Sequence, residues 1–400
     1  MKRILLLLIA ITVSLQLISA RNKLLAKIPF ELTGSFIVVE VSINNSTPLR
    51  MILDSGLRNT LITEIFPSDS INLIPGEIRE LQGLGSGITY KAYESTGNQI
   101  KIGKINCTNR NVFAFQEKFF NLSKQTGTKI NGLLGVDFFR EHIVQIDYVN
   151  RLLRIYSNEN FEAPKGYSYM PLYVQRQKMY IQLSVLETDS ARQRIKMLID
   201  TGAELTAWFE TLRNKAVDIP DKSVRGRIGE GLSGEINGLF ARVGQLCLAD
   251  FCVKNPVVAF PDSTSIGALS QNDDRDGTIG GQLLRRFHLI FDAQGKKLYF
   301  KPNAYFNHPF KYNVAGIEIA QADNMLPVAE VTVVWKDSPA ERAGLQVGDI
   351  LTEINYEKLF QKSISDIRHY FETPASRPLK LTVNRQGKEL ELTLDMKERI

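Results

Sequence analysis

The sequence predicts a mainly β protein in which two copies of one β unit are followed by a small α+β domain. Three observations carry this reading. Short runs rich in β-branched and aromatic residues alternate with Gly, Asn, Asp and Pro turns through residue 301. Landmarks recur in order at nearly one offset: Asp54 and Asp200 are 146 positions apart, while Gly135 and Gly280, Asp147 and Asp292, and Phe113-Ala114-Phe115 and Val258-Ala259-Phe260 are each 145 apart. Beyond Pro302 the texture changes, and two helical stretches appear among the strands. The resulting boundaries are a leader at 1–20, a first lobe at 21–158, a second at 159–301, a linker at 302–311 and a last domain at 312–400.

The apolar share of 44% and charged share of 23% are those of an ordinary globular chain, and four hundred residues suit two or three domains. The net charge of +6 is scattered over both signs. No basic run carries interleaved aromatics, so nucleic acid is not an expected partner. Lys2 and Arg3 precede an apolar run over 4–18, and Ser19-Ala20 offers small residues for cleavage. The run is shorter than the ~20 residues a membrane helix needs, so no span is expected once the leader is removed. Ile18 is a poor residue two before the cut, which leaves an uncleaved N-terminal anchor as the alternative. The mature chain is expected to begin near Arg21 and to work as a secreted or periplasmic protein.

In lobe one, residues 36–43 and 49–53 read as strands around the turn Asn44-Asn45-Ser46-Thr47-Pro48, and the second strand ends at Asp54. Leu81-Gln82-Gly83-Leu84-Gly85-Ser86-Gly87 is a glycine-rich reversal. Residues 128–140 run from an apolar strand through Gly135 into a short helix, and 143–146 and 152–156 pair around a turn. Lobe two repeats this order with strands at 179–185 and 195–199, the reversal Gly229-Glu230-Gly231-Leu232-Ser233-Gly234, the segment Gly277-Thr278-Ile279-Gly280, and closing strands at 288–292 and 297–300.

The chemistry concentrates where each copy delivers a carboxylate, a hydroxyl and a glycine: Asp54-Ser55-Gly56 and Asp200-Thr201-Gly202. A carboxylate at the end of a buried strand is costly unless it is hydrogen-bonded or shares a proton. Two carboxylates in contact do not both ionise easily, so one stays protonated. The charged one serves as base on a water, and the protonated one polarises a carbonyl. Ser55 and Thr201 are placed to hold the opposite loop, and Gly56 and Gly202 let the backbone approach the carboxylates. One such triplet is also what an ordinary turn looks like; the duplication is what lends weight to two.

With these motifs the chain resembles the aspartic proteases, both the two-lobed pepsin-like kind and the retroviral-type lobes, over roughly residues 29–301. The resemblance also rests on Leu133-Leu134-Gly135 and Thr278-Ile279-Gly280, which in that family pass behind the catalytic loops. It implies that Asp54 and Asp200 are catalytic, that Ser55, Gly56, Thr201 and Gly202 support the loops, and that Gly83, Gly85, Gly87, Gly229 and Gly231 belong to flaps over a protein or peptide substrate. Two departures stand out: Leu57 occupies the position of a small residue, and Gln82 that of the flap tyrosine, for which Tyr90 and Tyr93 are candidates. They fit a divergent bacterial branch better than pepsin itself.

No cofactor or metal is implied: no His-x-x-x-His or Cys-x-x-Cys occurs, and His142 and His288 sit at matching repeat positions, as structural residues would. Cys247 and Cys252 either close a small hairpin as a disulfide or remain thiols, with Cys107 a buried small residue.

After the linker, Ser338-Pro339-Ala340-Glu341-Arg342-Ala343-Gly344-Leu345 reads as a capped helix, Gly348-Asp349-Ile350-Leu351 as a turn into a strand, 363–371 as an amphipathic helix, and 379–384 with 389–394 as a hairpin. This order resembles a PDZ domain of the protease-associated type. The resemblance implies a groove at Ala315, Gly316, Ile317 and Ile319, where a peptide adds as a strand and backbone amides take its C-terminal carboxylate. The alternative is a groove that only docks on the lobes. Together these readings predict an aspartic endopeptidase with a PDZ domain for recruitment or regulation. The competing expectation is a protease-fold scaffold that binds peptides with little turnover. One chain supplies both aspartates, so a monomer suffices for catalysis.

Overall fold

The computed structural model describes residues 22–85, 87–115, 121–186, 193–211, 217–270, 274–322 and 328–400. The leader at 1–20, Ser86 of the first reversal and Pro327 lie outside these residues. Among the described residues no helix is long and apolar enough to cross a membrane.

Each lobe is built around one strand crossing. In lobe one, Leu49–Leu53 runs antiparallel to Phe36–Ile43 and parallel to Gly132–Leu134, with Leu53 beside Leu134. Gly132–Leu134 in turn runs antiparallel to Thr60–Ile62, which is parallel to Ile105–Phe115. Lobe two repeats the pattern: Gln193–Ile199 runs parallel to Gly277–Ile279, and Ala207–Phe209 bridges Gly277–Ile279 to Val257–Pro261. Leu49–Leu53 is apolar along most of its length because neighbours cover both faces. Its residues Leu49, Met51, Ile52 and Leu53 are all buried.

A third sheet joins the copies. Ile143–Asp147 of lobe one pairs antiparallel with Phe287–Asp292 of lobe two, with Gln145 opposite Ile290. Leu152–Tyr156 and Leu24–Pro29 extend the sheet on one side, Lys297–Pro302 and Ser168–Pro171 on the other. The two outermost strands were not anticipated from sequence. The matching turns are closed by aspartates: Asp147 accepts from the Asn150 amide and from Arg154, and Asp292 from the Gly295 amide. His288 Nδ1 lies 3.3 Å from Asp147, a structural contact.

Cys247 and Cys252 face each other across the hairpin of Gln245–Leu248 and Phe251–Lys254 and are joined as a disulfide. Cys107 is a buried thiol.

The C-terminal domain has the strands Ile317–Gln321, Ala329–Val334, Ile350–Ile354, Leu379–Arg385 and Lys388–Leu394, with a short pairing at Glu357–Lys358. Ser338 caps the helix Pro339–Arg342, and Ser363 with Asp366 forms a capping box on Ile364–Phe371. Buried Asp349 receives the guanidinium of Arg385, which holds its carboxyl below the usual range against the cost of burial. The stretch before Ile317 is not extended: Gly316 has φ +70° and turns the chain.

Residues 302–311 are strapped down rather than loose. Arg286, only 3% exposed, donates to the carbonyls of Tyr305, Phe306, His308 and Pro309, and its guanidinium lies 3.6 Å from the Phe310 ring centre. Phe310, Tyr312, Ile317 and Phe371 share one hydrophobic core with Ile146, Phe291 and Phe300 of the joining sheet. Arg286→Met keeps volume but leaves those carbonyls unpaired. It is expected to cost about 2–4 kcal/mol, read as a lower denaturation midpoint and faster proteolytic nicking near residue 305.

Candidate active site

The two parallel strand pairs deliver Asp54 and Asp200. Asp54 N–H donates to Leu134 O at 2.9 Å, and Asp200 N–H to Ile279 O at 3.0 Å, so each loop leaves its sheet from the same kind of register. The loops then lock across the lobe boundary. Ser55 N–H donates to Thr201 Oγ1 and Thr201 N–H to Ser55 Oγ, both at 3.0 Å. Each hydroxyl donates onward into the opposite strand, Ser55 to Ile199 O at 2.8 Å and Thr201 to Leu53 O at 2.6 Å. Both side chains are almost fully buried, and each hydroxyl both accepts and donates.

This lock presses the carboxylates together. Asp54 and Asp200 lie close enough that each carboxyl acts on the other. A Cβ built at Gly56 would lie 2.5 Å from Asp200 Cγ, and one at Gly202 2.4 Å from Asp54 Cγ. No other residue fits either position. Asp54 Oδ1 accepts from the amides of Gly56 (2.8 Å) and Leu57 (3.0 Å), whereas Asp200 Oδ1 accepts from Gly202 (2.9 Å). Burial pushes the pKa of both above the usual carboxylate range, and for Asp54 the adjacent Asp200 charge adds to the effect. The proton belongs to the pair rather than to either residue. Both aspartates line a cavity of about 1120 Å³ and keep partial exposure to it.

Gly135 and Gly280 stand where the rear strands pass the aspartate loops. A Cβ at Gly135 would be 2.7 Å from Asn59 C, and one at Gly280 2.6 Å from Ala203 O. Leu57 does not wedge between the loops. Its side chain packs with Phe36 and Leu232 on the cluster of Val38, Ile52 and Leu61.

The glycine-rich segments meet over the cavity. Gly83 N–H donates to Ser233 Oγ at 2.8 Å, and Ser233 N–H to Leu84 O at 2.8 Å. Gly85, with φ +132°, donates to Ser265 O, and a Cβ there would strike the Ser233–Gly234 backbone. A Cβ at Gly231 would lie 2.2 Å from Leu84 O. A Cβ at Gly87 or Gly229 would meet open space, and Gly229 lines the cavity. The tips exchange leucines: Leu84 of lobe one enters the cluster around Trp208, Leu205 and Phe240, and Leu232 of lobe two enters that around Ile52 and Leu61. Leu84, Leu232 and Ser233 were missed by the sequence reading, although an apolar residue among glycines in a turn is a readable signal. Tyr90 packs edge-on against Phe115 and Tyr93 is exposed, and neither lines the cavity, so neither replaces the flap tyrosine.

The groove residues of the last domain differ from expectation. The Ala315 amide donates to Phe371 O, and the amides of Gly316 and Ile317 both donate to Asn313 Oδ1. The left-handed turn at Gly316 makes them converge on that side chain, so the donors expected for a peptide carboxylate already have acceptors. The side chains of Ile317 and Ile319 are core residues, buried to 3% and 1% exposure. Their strand is nonetheless the edge of its sheet, and it lines the same cavity as the aspartates. Glu204, four residues beyond Asp200, was also missed. It accepts from Ser35 N–H at 3.0 Å, and burial pushes its pKa up.

The fold and site define a two-lobed β protein with paired carboxylates at the boundary of its lobes. Residues 39–138 match the family model of the aspartyl protease, and residues 330–385 that of the PDZ domain. The chain therefore carries an aspartyl protease domain and a PDZ domain, which point to a hydrolase and to peptide binding. The crystal structure of an aspartic proteinase from Irpex lacteus is similar over 71% of this chain and 98% of that one, at 11% identity and a TM-score of 0.43. No curated protein matches the sequence.

Two predictions follow from the lock and the pair. Thr201→Val strands the Ser55 amide and Leu53 carbonyl, at an expected cost of about 2–5 kcal/mol, measurable by denaturant unfolding. The pH test uses Asp54→Asn. Because the pair holds its proton more tightly folded than unfolded, its stability contribution is complete below the unfolded carboxylate value near 3.9 and is lost as pH rises through the folded value. Asp54→Asn removes that loss. Relative to wild type it should be more stable at neutral pH than in acid, as read from unfolding midpoints at the two conditions.

Proposed function

We propose that the chain is an aspartic endopeptidase acting on protein or peptide substrates. The adjacent Asp54 and Asp200 carboxyls, held by the reciprocal Ser55–Thr201 lock, carry this reading. The ionised member takes a proton from a water held between the carboxylates, and the water oxygen bonds to the scissile carbonyl carbon. The protonated member gives its proton to the carbonyl oxygen. Collapse of the resulting diol breaks the C–N bond: one diol hydroxyl passes its proton to the ionised carboxylate as the C=O forms, and the departing nitrogen takes the proton held by the other, which restores the pair. No covalent enzyme intermediate forms, and no cofactor takes part. Leu57 supports the reading because its side chain packs on the lobe-one cluster while its amide donates to Asp54. The leader composition and the Cys247–Cys252 disulfide support a secreted or periplasmic location, tested by sequencing the mature N-terminus. One chain suffices for catalysis, and the PDZ domain recruits or regulates.

One observation favours a second reading as a peptide-binding scaffold: the tips are hydrogen-bonded to each other across the cleft. Purified protein, Asp54→Asn and Asp200→Asn, each shown to be folded, decide between the two on an unfolded protein mixture from about pH 3 to about pH 8. Cleavage by wild type alone is expected. Its profile should be a bell, falling in acid where both carboxyls are protonated and again where both ionise. Because burial raises both groups, the upper limb should lie above the usual carboxylate range. Cleavage that persists in both variants would reject the mechanism.

A further inference from the structure

The PDZ groove in this protein is occupied by the chain itself. The short helix Leu122–Thr126 of lobe one lies against the edge strand Ile317–Gln321 and the helix Ile364–Phe371. Arg368 clamps it: one guanidinium nitrogen donates to Gln125 O at 2.7 Å and to Ile319 O at 3.0 Å. Gly127, the left-handed cap of the helix, sits so close that a Cβ would lie 2.8 Å from Ile364 Cγ1. Leu122 is anchored on the other side, in the lobe-one cluster with Ile52 and Leu133.

The same segment is wired to the second flap. Gln125 Nε2 donates to Glu230 Oε2 at 2.6 Å, Arg227 donates to Glu230 at 2.9 Å, and Arg227 also reaches Glu318 on the PDZ edge strand at 2.5 Å. Trp335 of the PDZ domain stacks on Phe240 of the same hairpin, ring centres 5.4 Å apart, over Gly226, where a Cβ would meet the indole at 2.5 Å. The hairpin formed by Ser223–Gly231 and Gly234–Arg242 is thus held at its base by the PDZ domain, along its side by Gln125, and at its tip by the lobe-one reversal. Gln125, Glu230, Glu318 and Arg368 all line the cavity that holds the aspartates.

We propose that Leu122–Thr126 is a built-in occupant of the PDZ groove, and that this segment and the lobe-two hairpin form one gate, released when an extended stretch of substrate polypeptide takes the groove. This rests on the protease reading above. The ligand chemistry follows from the contacts. Arg368 binds main-chain carbonyls, and an edge strand accepts an extended chain. The amides at 315–317 are already paired, so a free C-terminal carboxylate is not the determinant. A segment seated there displaces Gln125, breaks its bond to Glu230, and leaves the hairpin without its lateral support beside the aspartates.

The test uses variants on the occupant, leaving groove and aspartates unaltered. Gln125→Ala cuts the link to the hairpin. Gly127→Ala sets a Cβ against Ile364 at a positive φ and lifts the segment off the groove. Hydrogen exchange of residues 223–242 and cleavage of an unfolded protein are measured on full-length protein. Each variant is expected to speed exchange in 223–242 and raise kcat/KM by about tenfold or more, as loss of one hydrogen bond to a charged group implies, with Leu379–Arg385 exchange unchanged. Unchanged hairpin exchange in Gln125→Ala, with cleavage at the wild-type rate, would overturn the gate while leaving the protease intact. Faster exchange with no cleavage by any form would uphold the mechanical link and reject the protease reading instead. Gln125→Ala removes only side-chain atoms from a short surface helix, so it decides the matter even if Gly127→Ala does not fold.

Discussion

Four hydrogen bonds between Ser55, Thr201, Leu53 and Ile199 set the geometry on which the rest of the molecule depends. Each hydroxyl accepts an amide from the opposite loop and donates to the opposite lobe's strand. Buried and doubly used, neither can rotate without orphaning two partners. This rigidity explains how two carboxylates are kept in contact against their repulsion. Separating them would relieve the electrostatic cost but break the lock, and the lock is tied into both lobes through the parallel strand pairs. Proton sharing is then the remaining way to lower the energy.

Much of this was legible in the sequence because the duplication made weak signals agree. Asp-Ser-Gly alone describes any turn; two copies at the offset of the rear glycines describe a site. The strands behind the loops, the closing strands and the helix caps at Ser338 and Ser363 were readable for a local reason, since apolar pattern and cap chemistry are encoded within a few residues. The rest depends on contacts between distant segments. Gln125 and Glu230 are 105 positions apart and Arg368 lies far beyond both, so no spacing announces that they meet. The groove amides misled for a similar reason: the acceptor that satisfies Gly316 and Ile317 is the side chain of Asn313, recruited by a single left-handed turn.

The cavity is asymmetric in its chemistry despite the symmetry of its frame. The cavity lining combines apolar Phe36, Leu57, Trp208 and Phe240 with Ser35, Glu204 and Thr206. Toward the PDZ domain it becomes charged, with Arg227, Glu230, Glu318 and Arg368 in one chain of contacts.

The joining sheet carries a consequence of its own. Its central strands, one from each copy, pair antiparallel about Gln145 and Ile290, the self-complementary arrangement by which two identical chains associate. In such an assembly every change on one half appears on the other, so an appended domain would find two equal hairpins to grip and would favour neither. Covalent joining of the halves lifts that restriction. Here the second copy alone carries Arg227 and Phe240 for the PDZ domain, the disulfide hairpin, and Ala203 where the first has Leu57. Division of labour between the flaps is thus a freedom that a single continuous chain possesses and a symmetric pair of identical subunits lacks.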